Sequence, residues 1–201
     1  AVEAFVAAAA YHGERNPEAV TFEQPFNRDD YLASRFVSEP FRLFDCSREN
    51  DGAGALLVVS AERAKDLKKA PIHIVSVAQG AAAGWGDLLE NDDEAQYGTV
   101  GFKSVARHLY EGCGLTPNDI DVAQIYENFS AQGVASLIDH GFCTLESAAA
   151  FMTVENLTAP NGKLPINTAG GNLSQGFIHG IGIPIEAVRQ LRGESANPVP
   201  G

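Results

Sequence analysis

Basic residues and cysteines are both scarce in this chain. Its 14 lysines and arginines stand against 26 aspartates and glutamates, which gives a formal net charge of −12. That charge argues against nucleic acid and anionic membranes as the main partners. The three cysteines are scattered along the chain and odd in number. Such usage is typical of reduced thiols in the cytoplasm rather than of a disulfide framework.

Long apolar runs and metal-binding patterns are also lacking. No run of about 18 apolar residues occurs, so we predict no membrane-spanning helix. The alanine-rich first residues follow no basic segment and precede a charged turn, so we expect a helix there rather than a signal peptide. The five histidines have no spacing typical of metal ligands, and we predict no metal site.

The apolar residues that are present predict an α/β protein. Short apolar runs at 51–60 and 72–78 predict buried strands, and a third strand is expected at about 121–126, before a helix from about Ser130. Helical spacing predicts further helices at 1–12, in 27–37 with Asn27 as its cap, at 61–67, at 102–114 and at 182–193. In the last of these helices Ile183, Ile185, Val188 and Leu191 are expected to face inward. The glycine-rich, acidic stretch 79–101 predicts a long surface loop.

A glycine-rich loop precedes the last predicted helix, in the stretch "NTAGGNLSQGFIHGIG" from Asn167. Backbone amides near a helix start can hold an oxyanion or a carbonyl oxygen. Glycines in such a stretch equally serve to make a tight turn against a neighbouring element. The loop alone leaves both interpretations open and favours the turn.

A second polar group lies at a predicted junction between strand and helix, in "IYENF" from Ile125 to Phe129. This is where α/β folds place site residues, and burying three polar side chains without a purpose is costly. The alternative is a helix cap by Asn128 or Ser130, with Glu127 near the positive end of the helix.

Taken together, these motifs resemble the C-terminal half of the thiolase superfamily. "YENFS" stands where the family has Asn-Glu-Ala-Phe, and "NTAGGNLSQGFIHGIG" stands where it has Asn-x-x-Gly-Gly…Gly-His-Pro-x-Gly. "DGAGALLVVSAERAKDL" is similar to the family's Asp-Gly-Ala-Ala-Ala strand, and "NPEA…YLASRFVSEPFRLFDCS" is similar to the segment before it. The resemblance covers nearly the whole chain and is closest to the branch of sterol carrier and lipid-transfer proteins.

The resemblance implies an α/β fold: the C-terminal half of the thiolase α-β-α-β-α layered arrangement, with a mixed five-stranded sheet and helices. It divides the chain into a helical and loop segment at 1–45, leading from the family's loop domain, and an incomplete C-terminal thiolase-like domain at 46–201. A lone half would expose apolar faces. We therefore expect a longer polypeptide or a second chain, and a homodimer or hetero-oligomer.

The departures from the family concern its catalytic residues. Phe177 stands where the family's catalytic histidine stands, Ile178 replaces the proline, and His179 follows two positions after Phe177. Phenylalanine cannot accept a proton, so thiolase activation of a cysteine is not expected. None of Cys46, Cys113 and Cys143 lies where the family's nucleophile would, and we expect all three to pack structurally.

A subgroup of thiolase-like proteins, the aldolases of bacterial steroid side-chain breakdown, resembles the chain in these departures. They cleave a β-hydroxyacyl-CoA without a cysteine and use tyrosines at the positions of Tyr126 and Phe177; Tyr126 fits and Phe177 does not. The resemblance implies Tyr126 as base, His179 or the loop amides at the enolate oxygen, and a DUF35-type partner with an OB fold and a zinc ribbon. It implies no cofactor beyond the coenzyme A thioester as substrate. The expected acyl-CoA-binding residues are Glu127, Asn128, Gly170, Gly171, Asn172, Gly176, Phe177 and Gly180.

Two functions therefore remain open. The first is an enzyme acting on lipid or steroid acyl-CoA, as a carbon–carbon lyase or an acyltransferase of thiolase type. The second is a non-catalytic lipid or acyl-CoA binding or lipid-transfer subunit of a thiolase-like complex. Tyr126 favours the first and Phe177 favours the second.

Overall fold

Helices and turns connected by extended segments make up most of the structure, a computed structural model that describes residues 1–80 and 101–200. Its helices, in chain order, are α1 (Val2–Gly13), α2 (Arg28–Ala33), α3 (Ala61–Ala64), α4 (Lys103–Cys113), α5 (Ser130–Asp139), α6 (Ala148–Phe151), α7 (Val154–Leu157), α8 (Gly171–Ser174) and α9 (Gly182–Leu191). Single 3₁₀ turns lie at Leu43–Asp45 and Pro117–Asp119. No helix in the described ranges is long and apolar enough to cross a membrane.

The helices predicted from sequence are confirmed, but two of them end earlier than predicted: α2 ends at Ala33, with a strand at Phe36–Ser38, and α3 ends at Ala64. The Asn27 side chain caps α2 by accepting the N–H of Asp29 at 2.8 Å. Gly114 ends α4 in the left-handed conformation, φ +70°, which glycine adopts without steric cost. Leu191 was expected to face inward in α9, but it is 69% exposed.

The five-stranded sheet is not formed within 1–80 and 101–200. The strand pair there is an antiparallel hairpin of β1 (Phe36–Ser38) and β2 (Phe41–Arg42), with Phe36 opposite Arg42 and Ser38 opposite Phe41. Of the strand predicted at 121–126, a single parallel bridge between Ala123 and Ile166 is present. Most of the predicted loop 79–101 lies outside the described residues.

The segments 51–60 and 72–78, predicted as buried strands, form no regular strand in the described structure. Most of their apolar side chains are exposed, Leu57 by 81% and Val77 by 79%. A strand exists through hydrogen bonds to a neighbouring strand, and apolar composition alone does not provide that neighbour. The prediction that these two segments form buried strands was therefore wrong for the structure described at 1–80 and 101–200.

The core gathers around α1, which packs against α5, α7 and α8. Phe5, Leu137, Leu157 and Ile166 are fully buried there. α5 approaches α1 closely because Gly133 lacks a side chain, and a Cβ at that position would overlap the ring of Phe5. This packing supports the two segments that carry the polar motifs, 123–130 and 165–180.

Candidate active site

The two polar motifs meet at the Ala123–Ile166 bridge, and Asn167 extends this pairing. Its side-chain oxygen accepts the N–H of Ile125 at 2.7 Å, and its amide nitrogen donates to the carbonyl of Ile125 at 2.9 Å. A side-chain amide thus replaces the next backbone pair of a parallel ladder. The backbone of Asn167 is left-handed, φ +44°, a conformation that asparagine tolerates better than most residues.

Glu127 is fully buried beneath the glycine-rich loop. One carboxyl oxygen accepts the backbone N–H of Asn172 at 2.8 Å, and the other accepts its side-chain N–H at 3.4 Å. Gly170 and Gly171 both have positive φ, +106° and +60°. A Cβ on Gly171 would overlap the Glu127 carboxyl, so only glycine fits there.

Burial raises the pKa of Glu127 to about 8, because removing the carboxylate from water disfavours the charged form. Hydrogen bonds from Asn167 and from backbone amides act against this shift. The carboxyl is therefore protonated in a large fraction of molecules at neutral pH, beneath a loop whose amides point towards it.

Tyr126 lies on the other side of the same short segment and is 38% exposed. Its ring packs against Gly180, where a Cβ would stand 2.5 Å from the tyrosine Cδ2. Gly180 has φ +79°, so both its conformation and its neighbour require glycine. The geometry brings together the bend at 176–180 and the tyrosine of the first motif.

Phe177 and His179 lie side by side on this bend, with ring centroids 4.8 Å apart and planes tilted by 34°. His179 is exposed and its backbone is left-handed, φ +52°. Phe177 is half-buried, and its N–H donates to Asn50 Oδ1 at 2.6 Å. The Asn50 side chain also lies against Gly176, 3.1 Å from where a Cβ would stand.

Asn128 follows Glu127 and is half-buried. Its carbonyl accepts the N–H of Ser47 at 2.9 Å. Its side-chain oxygen is buried without a hydrogen-bond partner among the residues at 1–80 and 101–200. It does not cap α5 through its side chain.

The predicted site residues thus separate into two levels. Tyr126, Phe177, His179 and Gly180 lie together on the more open level, whereas Glu127, Gly170, Gly171 and Asn172 are buried below it. Burial places this second group where it supports the loop rather than where it contacts a ligand directly. The catalytic and binding roles of the residues in both groups stay predictions.

Two residues of this arrangement were absent from the predicted site. Asn167 had a signal in the sequence, since it begins the quoted loop motif, but its bonds to Ile125 could not be foreseen. Asn50 had none, because 127 positions separate it from the Phe177 amide that it holds. Both act through side-chain bonds to backbone that become visible only in three dimensions.

The cysteines do not gain reactive character from their surroundings. Burial raises the pKa of the Cys46 and Cys143 thiols, which disfavours the thiolate that acts as a nucleophile. All three cysteines are free. Over the described ranges, no group of three or more histidine, cysteine, aspartate or glutamate side chains could hold a metal ion.

A family model described as thiolase C-terminal domain-like matches residues 87–200. The chain therefore belongs to the thiolase superfamily and has a thiolase-like α/β fold. A solved structure described as an Ltp2-ChsH2(DUF35) aldolase superposes with a TM-score of 0.91 at 36% identity, over 98% of this chain and 52% of the matched chain.

Two relatives show which members of that superfamily the chain is similar to. The 17-hydroxy-3-oxo-4-pregnene-20-carboxyl-CoA lyase of Mycobacterium tuberculosis is 40% identical, over 94% of this chain and 49% of the lyase. The steroid side-chain-cleaving aldolase of Thermomonospora curvata is 38% identical, over 92% of this chain and 47% of the aldolase. The chain spans about half the length of these relatives.

Proposed function

We propose that this chain is part of a thiolase-like lyase that cleaves a carbon–carbon bond of a lipid or steroid acyl-CoA by a retro-aldol reaction. The observation that carries the proposal is the placement of Tyr126, partly exposed and packed against Gly180 where the two motifs meet. Similarity to a steroid acyl-CoA lyase and to a side-chain-cleaving aldolase supports the substrate class.

In the proposed reaction, the Tyr126 oxygen removes the proton of the substrate's β-hydroxyl group. The bond between the α and β carbons breaks, the β carbon becomes a carbonyl, and the bonding electron pair passes to the thioester as an enolate. A proton then returns to the α carbon, which releases a shortened acyl-CoA. The reaction needs a base and a polar group at the enolate oxygen, and it needs no cysteine nucleophile and no oxidant.

His179 is a better candidate than the loop amides for the group that binds the enolate oxygen. The amide of Gly170 already donates to the Asn167 carbonyl at 2.7 Å, and the amide of Asn172 donates to Glu127. Two of the four amides in "AGGN" are therefore engaged within the protein. The His179 imidazole is exposed beside Phe177, on the same bend as Gly180.

A second candidate function is acyl-CoA or lipid binding without catalysis. Phe177 favours it, since an aromatic ring without a titratable group stands where the family has its catalytic histidine. In this alternative Phe177 packs against the bound acyl chain or thioester, and Tyr126 serves only as part of the wall.

The proposal also covers the partner proteins and the cellular compartment. A hetero-oligomer with a DUF35-type protein is supported by the likeness to an aldolase solved as an Ltp2-ChsH2(DUF35) assembly. Assembly, with a second copy or with another chain, is also supported by the exposed apolar side chains at 56–58 and 74–77. The free cysteines support a reducing, cytoplasmic setting.

The test compares three substrates on purified protein that contains this chain, with and without a DUF35-type partner. They are a steroid β-hydroxyacyl-CoA, the same thioester lacking the hydroxyl, and a β-oxoacyl-CoA supplied with free coenzyme A. We expect cleavage of the first alone, with a ketone and a shortened acyl-CoA in equal amounts. Cleavage that requires free coenzyme A would instead indicate a thiolase, and tight binding without any cleavage would indicate the binding function.

A further inference from the structure

Glu127 contacts the loop of the second motif, although it lies one residue from the exposed Tyr126. We propose that Glu127 is a positioning residue, whose carboxyl fixes the Gly170–Asn172 turn and through it the placement of Gly180 against Tyr126. This inference rests on the proposed function for its catalytic consequence. Its structural part, the control of the turn by one buried carboxyl, stands on contacts alone.

The first step of the argument is the opposite placement of two consecutive side chains. Tyr126 is partly exposed and Glu127 is fully buried. Asn167 holds the residue before them, Ile125, through both of its backbone groups. The segment is thus bonded on either side of Tyr126, by Asn167 at Ile125 and by the Glu127 carboxyl at Asn172.

The second step is the lack of space around the carboxyl. Both of its oxygens accept hydrogen bonds from Asn172, and Gly171 lies so close that a Cβ would overlap one of them. Interiors packed this closely transmit a displacement instead of absorbing it. A change in the length or hydrogen-bonding pattern of residue 127 therefore moves the turn.

The third step connects the turn to the tyrosine. The turn leads into α8, where the amides of Gln175 and Gly176 both donate to the Gly171 carbonyl. The bend at 176–180 follows directly and ends with Gly180 against the Tyr126 ring. A shifted turn thus changes the position of His179 and Gly180 relative to Tyr126.

Glutamine is the informative substitution because it keeps the shape of the side chain and changes one acceptor into a donor. Each Glu127 oxygen faces an N–H of Asn172. In Glu127→Gln, one of these N–H groups meets an amide nitrogen that cannot accept it. Glu186→Gln is the matched control: Glu186 is also buried, but it accepts from the hydroxyls of Thr168 and Ser195 and not from the turn.

The experiment measures kcat and KM for the β-hydroxyacyl-CoA, acyl-CoA binding, and hydrogen exchange of the Asn172 amide in both variants. For Glu127→Gln we expect kcat to fall by about 10-fold or more with KM within about 2-fold, because misplaced catalytic groups lower turnover more than binding. Exchange of the Asn172 amide should accelerate by about 10-fold or more, since the glutamine nitrogen leaves one of the two Asn172 N–H groups without an acceptor and so loosens the turn that carries this amide. Glu186→Gln should keep the parent's kcat and the parent's Asn172 exchange.

Parent-like kcat and exchange in Glu127→Gln would overturn the inference, as would an equal loss of kcat in both variants. If Glu127→Gln does not fold, Glu127→Asp replaces it: this variant keeps the carboxyl, shortens it by one methylene, and should change kcat and exchange in the same direction. If the parent protein cleaves no substrate, the proposed function is wrong, but this result does not overturn the structural role of Glu127. Exchange of the Asn172 amide and acyl-CoA binding then still decide whether Glu127 holds the turn.

Discussion

The clearest contrast in this molecule is between the motif region, residues 123–130 and 165–180, and the apolar segments at 56–58 and 74–77. In the motif region, buried polar side chains bond to specific backbone groups, as Asn167 does to Ile125 and Glu127 does to Asn172. The apolar segments are richer in β-branched and aliphatic residues, yet their side chains lie exposed. Polar residues with one matching partner fix a local structure, whereas apolar residues specify burial without specifying the partner.

The largest expected effect breaks the motif region at Gly171. Gly171→Ala should lower the free energy of unfolding by about 4 kcal/mol, because a left-handed backbone and an overlap with Glu127 both penalise a Cβ. Gly114→Ala is the control, with a similar φ of +70° but open space around it, and should cost about 1 kcal/mol. Chemical denaturation of both variants measures the difference, and equal losses would show that the carboxyl does not restrict the turn.

A second prediction compares a leucine from each kind of environment. Leu137→Ala should cost about 3 kcal/mol of unfolding free energy, since Leu137 is fully buried in the core. Leu57→Ala should change that free energy by less than about 0.5 kcal/mol in protein without a partner, since Leu57 is exposed. Thermal or urea unfolding tests the pair, and a large loss for Leu57→Ala would show that an assembly already buries this segment.

A pH-dependent effect of similar size is expected at His12. This buried side chain accepts the N–H of Ala159 at 2.9 Å, and burial lowers its pKa from 6.5 to about 4. Between those two pH values His12 is protonated in the unfolded chain and neutral in the folded protein. The contribution of His12 to the free energy of unfolding is therefore complete above pH 6.5 and falls as the pH drops towards 4. It amounts to about 3 kcal/mol.

The test is the difference in unfolding free energy between the parent and His12→Gln, whose side-chain oxygen can still accept the Ala159 amide. This difference should change by about 3 kcal/mol between pH 7 and pH 4. The difference is the proper measure because Glu127 acts with the opposite sign. Its raised pKa gives a contribution that is complete below pH 4.5 and falls as the pH rises towards 8. A difference that does not vary with pH would contradict the account of His12.

The sequence predicts the parts of this molecule in which local signals agree. Helix α4 has apolar spacing and a terminal glycine, and α2 has Asn27 as a cap, so both follow from nearby residues. The order of the two polar motifs also anticipates that Tyr126 and the bend at 176–180 belong together. These features depend on short-range chemistry or on a pattern long enough to define a family.

The features that the sequence does not predict depend on distant partners. Burial of Glu186 in α9 in place of Leu191 follows from the hydroxyls of Thr168 and Ser195, which no helical periodicity reveals. The role of Asn50 beneath Phe177 likewise depends on a contact made through the fold. The predicted strands at 51–60 and 72–78 show the same limit, because a strand is defined by the strand beside it.

The most direct test of the account is the turnover of Tyr126→Phe on a β-hydroxyacyl-CoA, measured together with the binding of that substrate. If Tyr126 is the base, kcat should fall by about 100-fold or more while binding changes little, because only the hydroxyl is lost. Tyr110→Phe is the matched control, since the Tyr110 hydroxyl donates to the His140 carbonyl at 3.0 Å, outside the proposed site, and this variant should keep the parent's kcat. Cleavage by Tyr126→Phe at the parent's rate would contradict the tyrosine-base mechanism and favour acyl-CoA binding without catalysis by this residue.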